Sequence, residues 1–291
     1  RGYVMTVTAC LKLLMLPAVL IGALAMKDSV AAQDRLPDGD VAKLHQNGTT
    51  YAAWYGTPTD RYGHAILGDG IEGGSLHLKV GGKDYTVTLP HAQVFEDRTP
   101  RIVDLNGDGQ PEIVTIRAFL SAGASVAVFG LQGDQLVELA SSRPIGRTNR
   151  WLNIAGIADY LWTGQKQIAF VETPHIGGTL QIARWQGNKL ELAHALRGFS
   201  NHKIGAREQN LSATVKADAQ VLPFIILPSN NRRALHLVGY KDGEFRSLGQ
   251  KALTAPVARH IPGAQTETDC AVFELENGEQ TQMCASDINA G

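Results

Sequence analysis

Val126-Ala-Val-Phe-Gly-Leu-Gln-Gly-Asp-Gln-Leu136 places strand-forming residues on both sides of a Gly-Asp turn. Apolar residues that alternate with a period of two are typical of half-buried β-strands, and a short Gly-containing turn joins two such strands into a hairpin. The same pattern recurs at 76–85, 180–190 and 235–245, and the turn glycines at 81, 133, 187 and 243 are 52, 54 and 56 residues apart. The sequence therefore predicts a repeat of about 55 residues built around a β-hairpin.

The segments around each hairpin repeat as well. A second strand type precedes the last three hairpins, at 112–116, 167–171 and 223–227. The links match at an offset of 59, where Ile145-Gly146, Trp151-Leu152 and Asp159 correspond to Ile204-Gly205, Asn210-Leu211 and Asp218. Four short strands per repeat, with Gly-rich turns and no helix-period segment, are typical of propeller blades.

We therefore predict an all-β fold, a β-propeller of four or five blades over positions 33–262, built from repeats of about 55 residues. A β-sandwich is the alternative. That fold would not require the links between the hairpins to repeat at the same spacing.

The N-terminal segment has the layout of a secretory signal peptide. An apolar run at 13–26 lies between Lys12 and Lys27 and is followed by Val30-Ala31-Ala32. The run is shorter than the ~20 residues of a spanning helix, and the small residues suit cleavage after position 32. We therefore expect residues 1–32 to be a signal peptide, the product to be periplasmic or secreted, and no membrane span to remain. An uncleaved anchor is the alternative.

The cysteines predict a disulfide near the C-terminus. Cys10 leaves with the leader, and Cys270 and Cys284 bracket a segment that resembles a hairpin turning at Asn277-Gly278. In an oxidising compartment such a pair indicates a disulfide, so we expect residues 263–291 to form a disulfide-closed hairpin and tail. Two free thiols or a metal pair are the alternatives, but no His lies nearby in the sequence.

Charge and motifs exclude several functions. The chain has 27 Lys+Arg against 28 Asp+Glu, a net charge of −1, which argues against binding nucleic acid through phosphate neutralisation. It contains neither Gly-x-Ser-x-Gly nor His-Glu-x-x-His. Two acid pairs, Asp69 with Glu72 and Glu96 with Asp97, have no spatial relation that the sequence defines.

One loop carries oxygen ligands at alternate positions. Four side chains, those of Asp104, Asn106, Asp108 and Glu112, stand at loop positions 1, 3, 5 and 9, and Gln110 would offer its backbone carbonyl. Calcium takes six to eight oxygen ligands, and Gly109 permits a sharp bend, so we predict a structural Ca²⁺ site here. An EF-hand would need Glu where Thr115 stands. The alternative is an Asx-rich turn that binds no ion.

The loop also carries a resemblance. Arg101-Ile-Val-Asp-Leu-Asn-Gly-Asp-Gly-Gln-Pro-Glu-Ile-Val114 resembles the calcium loop of FG-GAP or VCBS repeats, the blades of integrin-α-like propellers. The resemblance implies a propeller whose blade-internal loops bind calcium through the five residues above. Segments 147–153, 173–180 and 198–202 are similar to bacterial exported VCBS-repeat proteins, which implies no activity. The matching loops at Asp159 and Asp218 keep one carboxylate each, so we expect them to have lost calcium.

Polar side chains cluster in the longer connections. These candidates for a ligand-binding face are Arg61, His64, Arg147, Asn149, Arg150, Trp151, His175, Asn201, His202, Arg207 and Glu208, with Tyr62 and Asp69 beside them. Loops on a rigid scaffold are common binding sites, and Arg, Asn, His and Trp together suit an anionic or sugar-like group. The alternative is that they satisfy bare backbone groups between the blades.

These observations favour an exported, calcium-stabilised β-propeller that acts as a binding or scaffolding module for a protein or glycan partner, without catalysis. The alternative is a propeller-type hydrolase or lyase on envelope carbohydrate, with His64, His175 or His202 beside an acid. A purely structural envelope protein is a third hypothesis.

Overall fold

A computed structural model describes Gly2 and residues 34–218, 221–263 and 269–288. These residues form strands, turns and connections, with no α-helix among them, which confirms the all-β prediction. Apart from Gly2, the predicted signal peptide at 1–32 lies outside the described residues. Over the described ranges, no helix has the length and apolar character needed to cross a bilayer.

The strands follow one another in antiparallel meanders. The first contains β1 (Ala42–Gln46), β2 (Thr49–Thr59), β3 (Glu72–Val80) and β4 (Lys83–Thr88), and β5 (Gln93–Phe95) follows it. The second contains β6 (Arg101–Val103), β7 (Glu112–Phe119), β8 (Gly123–Gln132) and β9 (Gln135–Ser141), and the third contains β10 (Leu152–Ala158), β11 (Gln167–Glu172), β12 (Thr179–Gln186) and β13 (Lys189–Arg197). The fourth contains β14 (Ala213–Val215), β15 (Phe224–Pro228), β16 (Ala234–Lys241) and β17 (Glu244–Ala252). The last sheet contains β18 (Val257–His260), β19 (Cys270–Leu275) and β20 (Gln280–Cys284).

The first three meanders join into one curled, thirteen-stranded sheet through narrow bridges. β3 meets β5 only through Gly73 and Phe95, and β9 meets β13 only through the parallel pair Ser141 and Lys189. Within the meanders, by contrast, ladders such as those of β2 with β3, β7 with β8 and β12 with β13 run for many residues. The four-stranded meander is therefore the structural unit of this sheet.

All four predicted hairpins are present, and each has a two-residue turn that contains a glycine with positive φ. Two-residue turns join β3 to β4, β8 to β9, β12 to β13 and β16 to β17. In the fourth hairpin, Asp242 and Gly243 have φ angles of 54° and 86°, and a type I′ turn requires positive values at both positions. The last three hairpins also carry a β-bulge at equivalent positions, at 128/129, 182/183 and 237/238.

Hydrophobic clusters lie between consecutive meanders, because neighbouring residues of a strand point to opposite faces of the sheet. In β7, Ile113 belongs to the cluster shared with the first meander, whereas Val114 belongs to the cluster shared with the third. In β15, Ile225 packs toward the third meander and Ile226 toward the last sheet. None of these four clusters of described residues combines the first meander with the last sheet.

The C-terminal hairpin is closed by the predicted disulfide. Cys270 of β19 lies directly opposite Cys284 of β20, and their sulfur atoms are bonded. β19 also pairs with β18, and Phe273 packs in the cluster shared with the fourth meander. The hairpin is therefore part of the main hydrophobic interior.

Candidate functional site

One long connection, residues 198–212 between β13 and β14, ties the meanders together, and we refer to it as the central connection. Its Gly205 N–H donates to Ile66 O in the first meander at 3.0 Å. Its Asn201 side chain donates to the backbone oxygens of Asn153 and Ile154 in β10. At its far end, Asn210 O accepts from the N–H of His260 in β18 at 2.9 Å. Loops from distant parts of the chain thereby meet at one place.

A cleft of about 350 Å³ opens beside the central connection. Its lining consists of His64, Ile66, Asn149, Arg150, Trp151, Thr173, His175, Ile176 and Ile204. Five of these were candidates from the sequence, and they come from loops of three meanders. Ile176 and Ile204 are 61% and 67% exposed, which is unusual for large apolar side chains.

Trp151 forms a buried wall of the cleft. It is only 2% exposed, and its indole N–H donates to Glu96 O at 2.9 Å. His175 stacks parallel to the indole with ring centroids 6.1 Å apart, and His202 packs edge-on at 4.7 Å. The indole faces are covered by these imidazoles, so Trp151 does not offer an open platform for a sugar ring.

Hydrogen bonds fix the tautomers of His175 and His202. His202 Nε2 lies 2.8 Å from Ala206 O, and a carbonyl can only accept, so Nε2 carries the hydrogen and Nδ1 is an acceptor. His175 Nε2 lies 2.9 Å from that Nδ1 and therefore donates to it. Burial lowers the pKa of both side chains to about 4. At neutral pH, His175 thus keeps an unprotonated Nδ1 as a free acceptor.

His64 sits between two buried glutamates. Its Nδ1 lies 2.5 Å from Glu96 Oε1, and its backbone N–H donates to Glu72 Oε1 at 3.2 Å. Burial raises the pKa of Glu72 to about 7. Burial and the charge of Glu72 raise the pKa of Glu96 well above its usual value, and burial lowers the pKa of His64.

Both shifts favour an uncharged His64 and Glu96 pair. In the uncharged pair, a Glu96 carboxylic acid donates its proton to His64 Nδ1, and the hydrogen of the imidazole is on Nε2. Within the described ranges, His64 Nε2 has no hydrogen-bond partner. The Oε2 atoms of Glu72 and Glu96 are also buried without a partner.

The remaining candidates make internal contacts outside the cleft. Arg61 Nε donates to Gln93 O at 3.0 Å, and Tyr62 Oη accepts from Asn149 N–H at 2.9 Å. Arg207 forms ion pairs with Asp38 and Asp69, and Glu208 accepts from the N–H of Asn210. Asn201 and His202 are buried, whereas Arg147 is exposed. For Arg61, Asn201 and Glu208, the contacts match the backbone-capping alternative, whereas Arg207 pairs with side-chain carboxylates.

The loop at 104–112 is folded around its own amides. Asp104 accepts from the N–H groups of Gly107 and Gly109 at 2.7 and 3.0 Å. Asn106 and Asp108 accept from the amides two residues onward, at 2.9 and 2.7 Å. Glu112 accepts from the N–H of Leu105 at 2.8 Å.

The donor chemistry of this loop suits calcium, but the arrangement is that of an Asx-rich turn. Burial raises the pKa of Glu112 to about 7, and the charges of Asp108 and Asp104 add to the effect, which a bound cation would offset. In the part of the chain that is described, no three His, Cys, Asp or Glu side chains are positioned to hold a metal ion. Calcium binding through Asp104, Asn106, Asp108, Gln110 and Glu112 therefore stays a prediction.

The equivalent loop of the third meander has the same scaffold. Asp159 accepts from the N–H groups of Thr163 and Gly164 at 2.9 and 2.8 Å, as Asp104 does in the first loop. Gln167 replaces Glu112 and accepts from the N–H of Leu161 at 3.0 Å. Trp162, 59% exposed, stands where Gly107 stands, and it has a positive φ of 56°.

The sequence alone missed the apolar part of the cleft and the position of Glu72 and Glu96 beside His64. Nothing in the pattern around Ile176 or Ile204 distinguishes a cleft residue from an ordinary loop residue. Glu72 and Glu96 are separated by two strands' length of chain, and only the pairing of Gly73 with Phe95 brings them together.

A scan against protein-family models finds no match, and no curated protein matches the chain. The cleft and the loop must therefore be interpreted from their own chemistry.

Proposed function

We propose that this chain is an exported, calcium-stabilised β-propeller of the FG-GAP/VCBS type that acts as a binding or scaffolding module. Its four-stranded meanders, the repeated bulges and the hydrophobic clusters between consecutive meanders support a radial arrangement of blades. Counting the three-stranded last sheet as a blade gives five blades. The Cys270–Cys284 disulfide supports an oxidising compartment, the periplasm or the exterior.

The observation that carries the binding role is the cleft beside the central connection. It gathers loops of three meanders, and two exposed isoleucines, Ile176 and Ile204, stand at it. Exposed apolar groups beside polar ones mark contact surfaces for other molecules. Because Trp151 is covered, the cleft suits a protein partner better than a stacked glycan.

Photo-crosslinking tests this role. A photo-crosslinking amino acid replaces Ile176 in the full-length protein in the cell, and a matched protein carries it at Leu192, an exposed position in β13. We expect a discrete adduct from position 176 that is missing from position 192, and mass spectrometry distinguishes a protein from a glycan adduct. Equal adducts at both positions, or none at 176, would contradict a binding site at the cleft.

The second candidate is a hydrolase or lyase that acts on envelope carbohydrate. The contact of 2.5 Å between His64 Nδ1 and Glu96 Oε1 favours it, because an imidazole oriented by a carboxyl group is a common general acid or base. Release of reducing ends from envelope polysaccharide, measured for the native protein and for His64→Gln, tests it. No release above a heat-denatured control would exclude this activity on the polysaccharide used.

A further inference from the structure

The cleft offers one neutral donor and one neutral acceptor. In its uncharged pair with Glu96, His64 presents an Nε2 hydrogen, and His175, whose Nε2 donates to His202, presents its unprotonated Nδ1. Both side chains line the same cleft. A peptide backbone has the complementary groups, a carbonyl that accepts and an N–H that donates, and neither group carries a charge.

The walls of the cleft are apolar. Ile66 lies at its inner side and is 8% exposed, whereas Ile176 and Ile204 lie at its surface. Two exposed isoleucines leave apolar surface in water, and covering it with another apolar group releases about 25 cal/mol per Å². One large apolar side chain of a ligand would satisfy this part of the cleft.

Arg150, an arginine without an acidic partner, lines the cleft. Arg150 is a lining residue, and its only recorded side-chain bond goes to the neighbouring Asn149 O at 3.0 Å. Arg143 and Arg147 are exposed and lie in the same connection before β10. Over the described ranges, none of these three forms an ion pair. The cleft therefore has one positive charge, that of Arg150, that no ion pair with a carboxylate of the described residues offsets.

We propose that the cleft binds an extended, acidic peptide segment of a protein partner. A backbone carbonyl and a backbone N–H of the segment pair with His64 and His175, a large apolar side chain packs among Ile66, Ile176 and Ile204, and a neighbouring carboxylate faces Arg150. This inference rests on the proposed binding function and names its ligand class. It differs from strand addition, because the polar contacts come from side chains rather than from a sheet edge.

Selection from a random heptapeptide phage library on the immobilised, oxidised full-length protein tests the inference. We expect enrichment of peptides that combine Leu, Ile or Phe with an adjacent Asp or Glu. A selected peptide is then synthesised with a fluorescent label, and its dissociation constant is measured by anisotropy. Failure to enrich any such class, or enrichment of basic peptides, would overturn the proposal.

Variants at two lining residues outside the hydrophobic core, the exposed Ile176 and the half-buried Arg150, show where the peptide binds. Ile176→Ser should weaken the selected peptide by about tenfold, and Arg150→Gln by about threefold, with the second effect vanishing at high salt. Leu192→Ser and Arg184→Gln, at exposed positions of the third meander, are matched controls and should change nothing. Unchanged affinity in Ile176→Ser would show that the peptide binds elsewhere and would contradict the proposal.

A backbone probe separates the polar part of the proposal from the apolar part. N-methylation at the apolar residue of the selected peptide removes one N–H donor, and we expect about a tenfold loss of affinity. His175→Phe should abolish the difference between the methylated and unmethylated peptides, whereas a merely structural His175 would preserve it. A glycan adduct from the crosslinking experiment, together with a failed peptide selection, would support the binding function but contradict a peptide ligand.

Discussion

The loop at 104–112 and the cleft hold their acidic groups in opposite ways. In the loop, Asp104, Asp108 and Glu112 each accept from backbone amides a few residues away. Behind the cleft, Glu72 and Glu96 are buried in contact with its lining residue His64, and each keeps one oxygen without a partner. A buried polar atom without a partner is costly, so the cleft stores free energy that the loop does not. The comparison teaches that local satisfaction indicates a structural element, whereas unsatisfied burial indicates a place where something else acts.

Calcium should act on the loop and leave the cleft unchanged, and this is the largest effect expected. Calcium at about 100 times its dissociation constant adds about 2.7 kcal/mol to the free energy of unfolding, or roughly 5 to 10 °C in melting temperature. Thermal unfolding of the oxidised protein, in calcium and in chelator, measures the shift. Asp108→Ala should abolish it, whereas Asp159→Ala in the equivalent loop should retain it.

Affinity for a cleft peptide should be the same in calcium and in chelator. A calcium-dependent shift in melting temperature that is still present in Asp108→Ala would show that calcium binds elsewhere in the chain. A peptide affinity that depends on calcium would show that the loop and the cleft are coupled.

The pH dependence of stability should come from the cleft acids. The pKa of Glu72 is about 7 in the folded protein against 4.5 for the free side chain, so the folded state keeps a proton that the unfolded state releases between these values. The contribution of Glu72 to the free energy of unfolding is therefore present below pH 4.5 and is lost as pH rises to 7.

In Glu72→Gln, the free energy of unfolding should fall by about 1 to 2 kcal/mol less as pH rises than it does in the wild type, after allowance for partial solvation. Urea unfolding of both proteins at pH 5 and pH 8 gives the difference. Glu191→Gln, at an exposed position of β13, is the control. Parallel pH profiles for the wild type and Glu72→Gln would show that Glu72 is ionised throughout.

In chelator, Asp104→Ala and Asp159→Ala should lower the free energy of unfolding by equal amounts. The difference between the two variants is therefore the smallest effect expected. Asp104 and Asp159 each accept two backbone amide bonds, so replacing either by Ala should cost about 1 to 2 kcal/mol. Chemical unfolding in chelator measures both costs. In calcium, Asp104→Ala should cost more stability than Asp159→Ala, because only Asp104→Ala removes a predicted ligand. A markedly larger cost for Asp104→Ala in chelator would show that the first loop is stabilised by more than its amides.

The sequence predicted what is encoded locally. The hairpin turns, the strands that precede them and the Cys270–Cys284 pair depend on residues close together in the chain, where turn chemistry and alternation are decisive. The backbone N–H bonds to Asp104 also join residues close together in the chain. They match the Asx-turn alternative as well as a calcium loop.

The cleft could be predicted only in part. The links before β10 and after β11 carried recognisable clusters, so Asn149, Arg150, Trp151 and His175 were candidates. The indole hydrogen bond of Trp151 and the partner of His64 depend on contacts across 55 and 32 residues, for which the sequence has no periodic signal. Arg207 and Glu208 have the same composition as cleft residues, but internal bonds occupy them.

The central connection also sets an order of assembly in time. On the ribosome, residues 198–212 emerge after the first three meanders and before the last two sheets. Until then Ile66 and Asn153 lack the partners that the connection supplies, and the Arg207 pair with Asp38 must close a separation of 169 residues. The early meanders can form their hairpins as they are made, but the middle of the molecule is completed only by a segment synthesised later. A nascent chain that stalls before residue 198 would therefore expose an unfinished centre to proteases and chaperones.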